Sequence, residues 1–221
     1  MKNIKSYNEF INEGLSSEMT EEMKSIKDKA KKQGVFLKAP NGKKSKLNEK
    51  QWLMVRTKEF MEWFGDWQND KENSSKVLDE NEEPLVLYHG STKKFDKFDN
   101  NAIGSTTGDY SGFYFTNNRG IAKGYYSKET GKGWGNLLVA LGLGRLGGYH
   151  STVYSVFLNS RNPYIYDFKG DFNNIGREKL ISKARKSKYD LVILKNIKDG
   201  PSVKQDVYVV FESDQIKICE K

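Results

Sequence analysis

The sequence predicts an α+β fold in which a helical, lysine-rich N-terminal extension leads into a β-sheet core. Three observations carry this. Apolar residues recur at helical spacing as far as Trp67, short strands take over after Asn81, and a local block of positive charge at residues 24–50 lies within the helical part. With 221 residues the chain can form one sizeable core and a small accessory segment.

The charge is local. Residues 24–50 hold ten Lys against Asp28 and Glu49, whereas residues 1–23 carry a net −3. A lysine run without interleaved aromatics reads first as a solvated tether, with salt-dependent attraction to phosphate as a second use. The 4 Trp, 12 Tyr and 12 Phe supply much of the core. Cys219 has no second cysteine to pair with, and two distant histidines give no zinc-ligand spacing, so a reducing compartment and no structural metal are expected. No apolar run has the length of a bilayer crossing, and the first residues lack the apolar core of a secretion signal, so no membrane partner is expected.

In chain order, MKNIKSYNEFINEGL is amphipathic until Gly14. From Glu18 to Lys32, Met19, Met23, Ile26 and Ala30 form a helical stripe, with Gly34 as the stop. Pro40 and Asn41-Gly42 predict a loop or hairpin-like linker. In LNEKQWLMVRTKEFMEWFGDW, Phe60, Trp63, Phe64 and Trp67 stand at i, i+3, i+4 and i+7, the pattern of a docking helix with one aromatic face. The strands expected are LVLYH, GFYFT, TVYSVFLN, YDLVILKN and DVYVVFES. Residues 126–150 are Gly-rich and too long for an idle hairpin connection, which makes them a candidate lid. Within them, Gly142, Gly144, Gly147 and Gly148 do not compose a dinucleotide-binding fingerprint.

His89 is the first candidate for chemistry. It closes the apolar run Leu85-Val86-Leu87-Tyr88, and Gly90, Ser91 and Thr92 follow, a glycine that admits close approach to backbone and two hydroxyls. A second strand end, Gly112-Phe113-Tyr114-Phe115-Thr116 with Ala122 and Tyr125 behind it, can bracket a flat ligand against the first. His150, at the start of a later strand, reads as structural or lid-associated.

These residues resemble a known family. Tyr-His-Gly-Ser, Gly-Phe-Tyr-Phe-Thr with Ala122-x-x-Tyr125, and Val207-Tyr208-Val209-Val210-Phe211 with Gln215-Ile216 resemble the three ordered motifs of the poly(ADP-ribose) polymerase and diphtheria-toxin branch of ADP-ribosyltransferases, over roughly residues 76 to 218. Upstream, QWLMVRTKEFMEWFGDW and SKVLDENEEPLVLYHG resemble the module that opens such domains in phage polyvalent proteins. The resemblance implies a split β-sheet that holds NAD as co-substrate between two half-sheets and transfers ADP-ribose with release of nicotinamide. Breaking that glycosidic bond demands that the sugar be fixed, the leaving ring held and the nucleophile admitted. His89 would then bind the adenosine ribose and the Gly90 backbone, with a nearby hydroxyl, the nicotinamide carboxamide. Tyr114 and Tyr125 would sandwich the ring, with Ser91 supporting the first loop and Gly112, Phe113, Phe115 and Ala122 completing the cradle.

The third motif departs from the pattern, because the position of the family's catalytic Glu is Val207. Asp206 is adjacent but alternates to the other face unless the strand bulges. Gln205 shares the face of Val207 and resembles the upstream Gln of arginine-directed transferases. Alternatively nothing is missing, since histidine, tyrosine and an aliphatic residue form the triad of family members that transfer a single ADP-ribose. Mono-transfer to a host macromolecule, protein before nucleic acid, is the activity implied, with a catalytically degenerate binding module as the alternative.

The first residues resemble the capsid-targeting leader of internal head proteins of T-even-like phages, which a head-maturation protease cuts after Glu in Ile11-Asn12-Glu13, before Gly14. That resemblance implies a virion interior followed by host cytoplasm as location. The expected organisation is a leader at 1–13, a helical segment at 14–75 and the transferase-like domain at 76–221.

Overall fold

In the computed structural model the described residues are 19–91, 93–103, 112–125, 152–170, 176–198 and 204–221. The leader with its Glu13-Gly14 bond, Thr92, the Gly-rich segment at 126–150 with His150, and the side chain of Tyr125 lie outside them. Two compact units divide between Leu85 and Val86.

The first unit begins with α1 (Glu21–Lys32). Thr20 caps it by accepting the Met23 N–H at 3.2 Å, and acidic residues in the first turn and lysines in the last complement the helix dipole. Gly34 ends it at φ +69°, as expected, and the Val35 N–H reaches back to the Ala30 carbonyl at 3.0 Å. The linker folds into a tight turn, with Gly42 at φ +80° and its N–H on the Ala39 carbonyl, between the bridged Lys38 and Lys44.

The expected docking helix is two helices, α2 (Glu49–Met54) and α3 (Lys58–Phe64). Thr57 interrupts it, because its hydroxyl caps Phe60 N–H at 3.2 Å and restarts the helix. Gly65 at φ +94° then stops α3 before Trp67, so the i+7 position of the aromatic pattern is not helical. Trp67 is nevertheless fully buried, as are Phe60 and Phe64, and donates Nε1–H to the Val55 carbonyl at 2.9 Å.

A buried ion pair organises this unit. Arg56 sits over the Trp52 ring, its Cζ 3.6 Å from the centroid, and donates to Glu83 Oε1 at 3.0 Å, while Ser45 Oγ donates to Glu83 Oε2 at 2.5 Å. Burial pulls the Arg56 guanidinium below its ordinary pKa, against the raising effect of Glu83.

The second unit is a seven-stranded sheet in the order β4-β5-β6-β2-β1-β3-β7. Its strands are β1 (Leu87–Ser91), β2 (Phe113–Thr116), β3 (Thr152–Leu158), β4 (Pro163–Asp167), β5 (Leu191–Lys198), β6 (Lys204–Val210) and β7 (Ile216–Glu220), with α4 (Arg119–Tyr125) and α5 (Arg177–Lys186) between them. β4 and β5 are parallel, whereas β1–β2, β1–β3, β2–β6 and β5–β6 are antiparallel. Ile181 and Ala184 of α5 pack into a core made by Val192, Leu194, Val207 and Val209. Among the described residues no helix is long and apolar enough to cross a membrane.

All five expected strands form, and β4, β7 and α5 are additional. Each hides its signal. β4 is an edge strand opened by Pro163, with Ile165 and Tyr166 at 52% and 40% exposure. β7 buries Lys217, whose amine burial pushes down to about 7. α5 starts at Gly176 without a side-chain cap and fully buries only Ile181 and Ala184 among many basic residues.

Candidate active site at the seam of the sheet

Three registers define the seam. β1 keeps five paired positions with β3 and β2 keeps four with β6, but β1 and β2 share one, Tyr88 opposite Thr116. Past that rung the ladder between β1 and β2 stops at His89. The sheet is therefore split between two half-sheets, and His89 is the first residue of β1 inside the split.

His89 ties the split together through its side chain. Nδ1 lies 2.9 Å from the Tyr114 carbonyl of β2, and a carbonyl only accepts, so Nδ1 carries the proton. Nε2 of the neutral ring is left as an acceptor. Burial holds the imidazole pKa below its ordinary value, outweighing the bond to Tyr114, so the ring is neutral at pH 7. Its walls are aromatic: Phe98 at 5.1 Å, Phe115 at 5.5 Å and Phe95 at 6.4 Å between centroids.

Sequence reasoning missed that cage. Tyr154, fully buried and opposite His89 in the β1–β3 register, stacks on Phe95 at 4.2 Å and accepts the Phe95 N–H at 2.7 Å. This pins the loop after β1 over the imidazole. The available signal was Phe95 and Phe98 standing three apart in an otherwise charged stretch, a spacing that marks anchoring rather than a solvated loop. Ser91 closes the same loop by accepting the Lys93 N–H at 3.1 Å.

Gly90 faces α4. A Cβ built there would lie 2.0 Å from the Ala122 carbonyl oxygen, so the helix backbone occupies the side on which a side chain would project. Glycine is needed for helix packing as well as for any ligand contact at its backbone. Ala122 is 1% exposed, which follows from that approach. At Gly112 a Cβ would meet the Val210 carbonyl oxygen at 2.4 Å. Gly90→Ala is expected to displace α4 and to lower stability by about 2–4 kcal/mol, because backbone rather than a flexible side chain must yield; urea unfolding monitored by circular dichroism measures it.

Alternation along β2 sends Phe113 and Phe115 to the side of His89 and sends Tyr114 and Thr116 to the other. Tyr114 packs, partly buried, against the cluster that contains Val207 and Val209. The structure thus joins His89 to Tyr114 through the backbone carbonyl, while their side chains occupy opposite faces. α4 places the backbone of Tyr125 one turn beyond Ala122.

The third motif resolves into three different environments. Val207 is 3% exposed and belongs to the core beneath α5. The β6 register against β2 runs unbroken from Val207 to Val210, so no bulge there turns Asp206 to the face of Val207. The irregularity lies instead in β5, between Leu194 and Ile197, and Asp206 accepts the Asn196 N–H of that bulge at 2.9 Å. Gln205 is 4% exposed, and its Oε1 accepts the Thr116 hydroxyl at 2.6 Å. Gln215 spends its amide structurally, donating to the Asn159 and Asp190 carbonyls and accepting from Phe211 and Glu212 N–H.

Residues 79–221 match the family model described as ADP-ribosyltransferase in polyvalent proteins. No curated protein and no solved structure matches the chain.

Proposed function

The chain belongs to the ADP-ribosyltransferase family of polyvalent proteins, and on that premise we propose that it moves a single ADP-ribose from NAD to a host macromolecule, a protein first of all, and releases nicotinamide. The supporting observation is His89, a neutral acceptor held in the split between β1 and β2 by its bond to Tyr114.

The residues present fit NAD. The seam offers an acceptor for a ribose hydroxyl at His89 Nε2, an aromatic wall, and on the opposite face an unpaired amide donor at Gln205. NAD supplies the reactive bond between ribose C1′ and nicotinamide. His89 orients a sugar, the Gly90 backbone takes the carboxamide, and Tyr114 with Tyr125 flanks the ring. As the C1′–N bond breaks, its electron pair leaves with nicotinamide, and an acceptor nucleophile forms the new bond to C1′ while losing its proton to solvent or to a neighbouring base of the acceptor itself.

The third motif supports single transfer. Val207 is in the core and Asp206 is committed to the β5 bulge, so neither offers a carboxylate that could activate a ribose hydroxyl for chain extension. The leader resemblance at residues 1–13 supports packaging in a phage head, cleavage after Glu13 by the head-maturation protease, and delivery to host cytoplasm with the DNA.

One observation favours a second reading, in which the acceptor is nucleic acid. Lys179, Lys183 and Lys186 stand exposed at i, i+4 and i+7 on α5, none ion-paired among the described residues, and the inner face of that helix packs on the Val207 core beside Tyr114. The full-length protein should be incubated with adenylate-labelled NAD and a bacterial lysate, then divided between protease and nuclease. Protease-sensitive label is the expected result. Nuclease-sensitive label would transfer the reading to nucleic acid, and absence of label with NAD intact would leave a degenerate binding module.

A further inference from the structure

The lysine run of residues 24–50, which on sequence reads as a solvated tether, is folded in the first unit, and its charges are sorted. Lys24, Lys27 and Lys46 pair with Glu21, Glu49 and Glu80. Lys38, Lys43 and Lys44, on the tight turn, and Lys31, at the end of α1, stand exposed with no ion pair among the described residues. Glu80, the carboxylate that lies toward Lys43, is engaged by Lys46.

The turn puts two of these charges against each other. The Ser45 N–H donates to the Leu37 carbonyl and the Ala39 N–H to the Lys43 carbonyl, both at 2.9 Å. Those bonds flank the bridge between Lys38 and Lys44 and make it the non-hydrogen-bonded kind, in which opposed side chains leave on one face and lie closest. Like charges placed there destabilise the pair, a cost that a bound anion reverses. The backbone is held from several sides, so the lysines are presented rather than trailing. Trp52 Nε1–H donates to the Lys38 carbonyl at 3.0 Å, Asn41 Oδ1 accepts the Lys43 N–H at 3.0 Å, and Asn41 Nδ2 donates to Asn81 Oδ1 at 3.1 Å. Lys31 belongs to the same neighbourhood: its Nζ lies 5.5 Å from the Phe36 ring centroid, and Phe36 meets Trp52 edge-on at 5.4 Å.

We infer that this face of the first unit binds the phosphate backbone of double-stranded nucleic acid, without regard to sequence, through Lys31, Lys38, Lys43 and Lys44. Charge complementarity selects a polyanion, and the rest of the face selects among polyanionic surfaces. Protein interfaces are depleted in lysine, whereas nucleic-acid interfaces are rich in positive charge. A membrane surface asks for an apolar face to insert, and Val35 is the one exposed large hydrophobic residue among the described residues of this unit. A single strand asks for exposed aromatic rings on which bases stack, and the unit exposes none among its described residues. Lysine ammonium groups on phosphates position the duplex and carry no base readout. The turn precedes the stretch matched by the family model, so this surface is independent of the transferase reading.

The test is fluorescence anisotropy of a labelled mixed-sequence DNA duplex titrated with the full-length protein over a range of salt. With each of the four lysines meeting one phosphate, log K should fall against log salt with a slope of about −3.6, and Lys38→Gln/Lys44→Gln, which keeps the aliphatic stems, should halve it to about −1.8. Lys38→Arg/Lys44→Arg should retain the wild-type slope, as should Lys179→Gln/Lys183→Gln/Lys186→Gln on α5. Absence of duplex binding by the wild type would overturn the inference. So would an unchanged slope in the folded Lys38→Gln/Lys44→Gln variant, or a slope lost in the α5 variant instead. Tighter binding to a single strand of the same length, or to phosphatidylserine vesicles at the same salt, would overturn the choice of duplex as partner.

Discussion

His89→Ala is expected to lower kcat/KM for ADP-ribose transfer by about 100-fold. Two losses combine: the acceptor at Nε2, and the bond from Nδ1 that holds the Tyr114 carbonyl across the split. At about 1–1.5 kcal/mol each they total about 2–3 kcal/mol, which is about two powers of ten. Single-turnover measurements with the folded variant, checked by thermal unfolding, give the number. Wild-type levels of transfer would exclude the seam as the site.

The same residue sets a pH dependence. Burial lowers the folded-state pKa of His89, so the folded protein keeps the ring neutral where the unfolded chain has begun to bind a proton. The stability tied to the neutral ring is complete above the ordinary histidine pKa of about 6.5 and is lost as pH falls from there through the lowered value. Activity follows the folded-state pKa alone, because protonation converts the Nε2 acceptor to a donor. The rate profile should be flat from pH 7 upward and decline on the acid side with a midpoint below about 6.5; His89→Ala should flatten that limb.

The second large effect concerns stability of the N-terminal unit. Glu83→Ala is expected to cost about 3–5 kcal/mol, since it leaves the Arg56 guanidinium buried over Trp52 and the Ser45 hydroxyl without its acceptor. Arg56→Met/Glu83→Leu should recover most of that loss, because the penalty lies in an uncompensated charge rather than in the absence of a pair. Three of the four tryptophans, Trp52, Trp63 and Trp67, lie in this unit, so denaturation followed by tryptophan fluorescence reports chiefly on it. A loss below about 1 kcal/mol would place the ion pair among exposed ones of little weight.

Much of the scaffold was legible in the chain because its signals are local. Leu85 to His89 announces a strand that ends in a polar ring, and β-branched and aromatic runs mark β3, β5 and β6. Gly34 and Gly42 announce a helix stop and a turn through the φ that only glycine adopts freely. The helix break at Thr57 was written there too, as a capping residue, but the aromatic spacing on either side masked it. β4 and β7 were not legible, since an exposed edge strand needs no alternation and a strand carrying a buried lysine breaks it.

By itself the sequence determined which residue types stand at strand ends and which helices and turns punctuate them, because caps, glycines and two-residue alternation act over a few neighbours. The tertiary structure alone decided which His89 nitrogen holds the proton, that Gly90 faces a helix carbonyl, that Val207 is core, and that Gln205 keeps a free donor. Those properties depend on pairings between residues such as His89 and Tyr114 or Thr116 and Gln205, which are distant in the chain. Register across strands, fixed only when the loops between them have closed, brings such groups within hydrogen-bond reach.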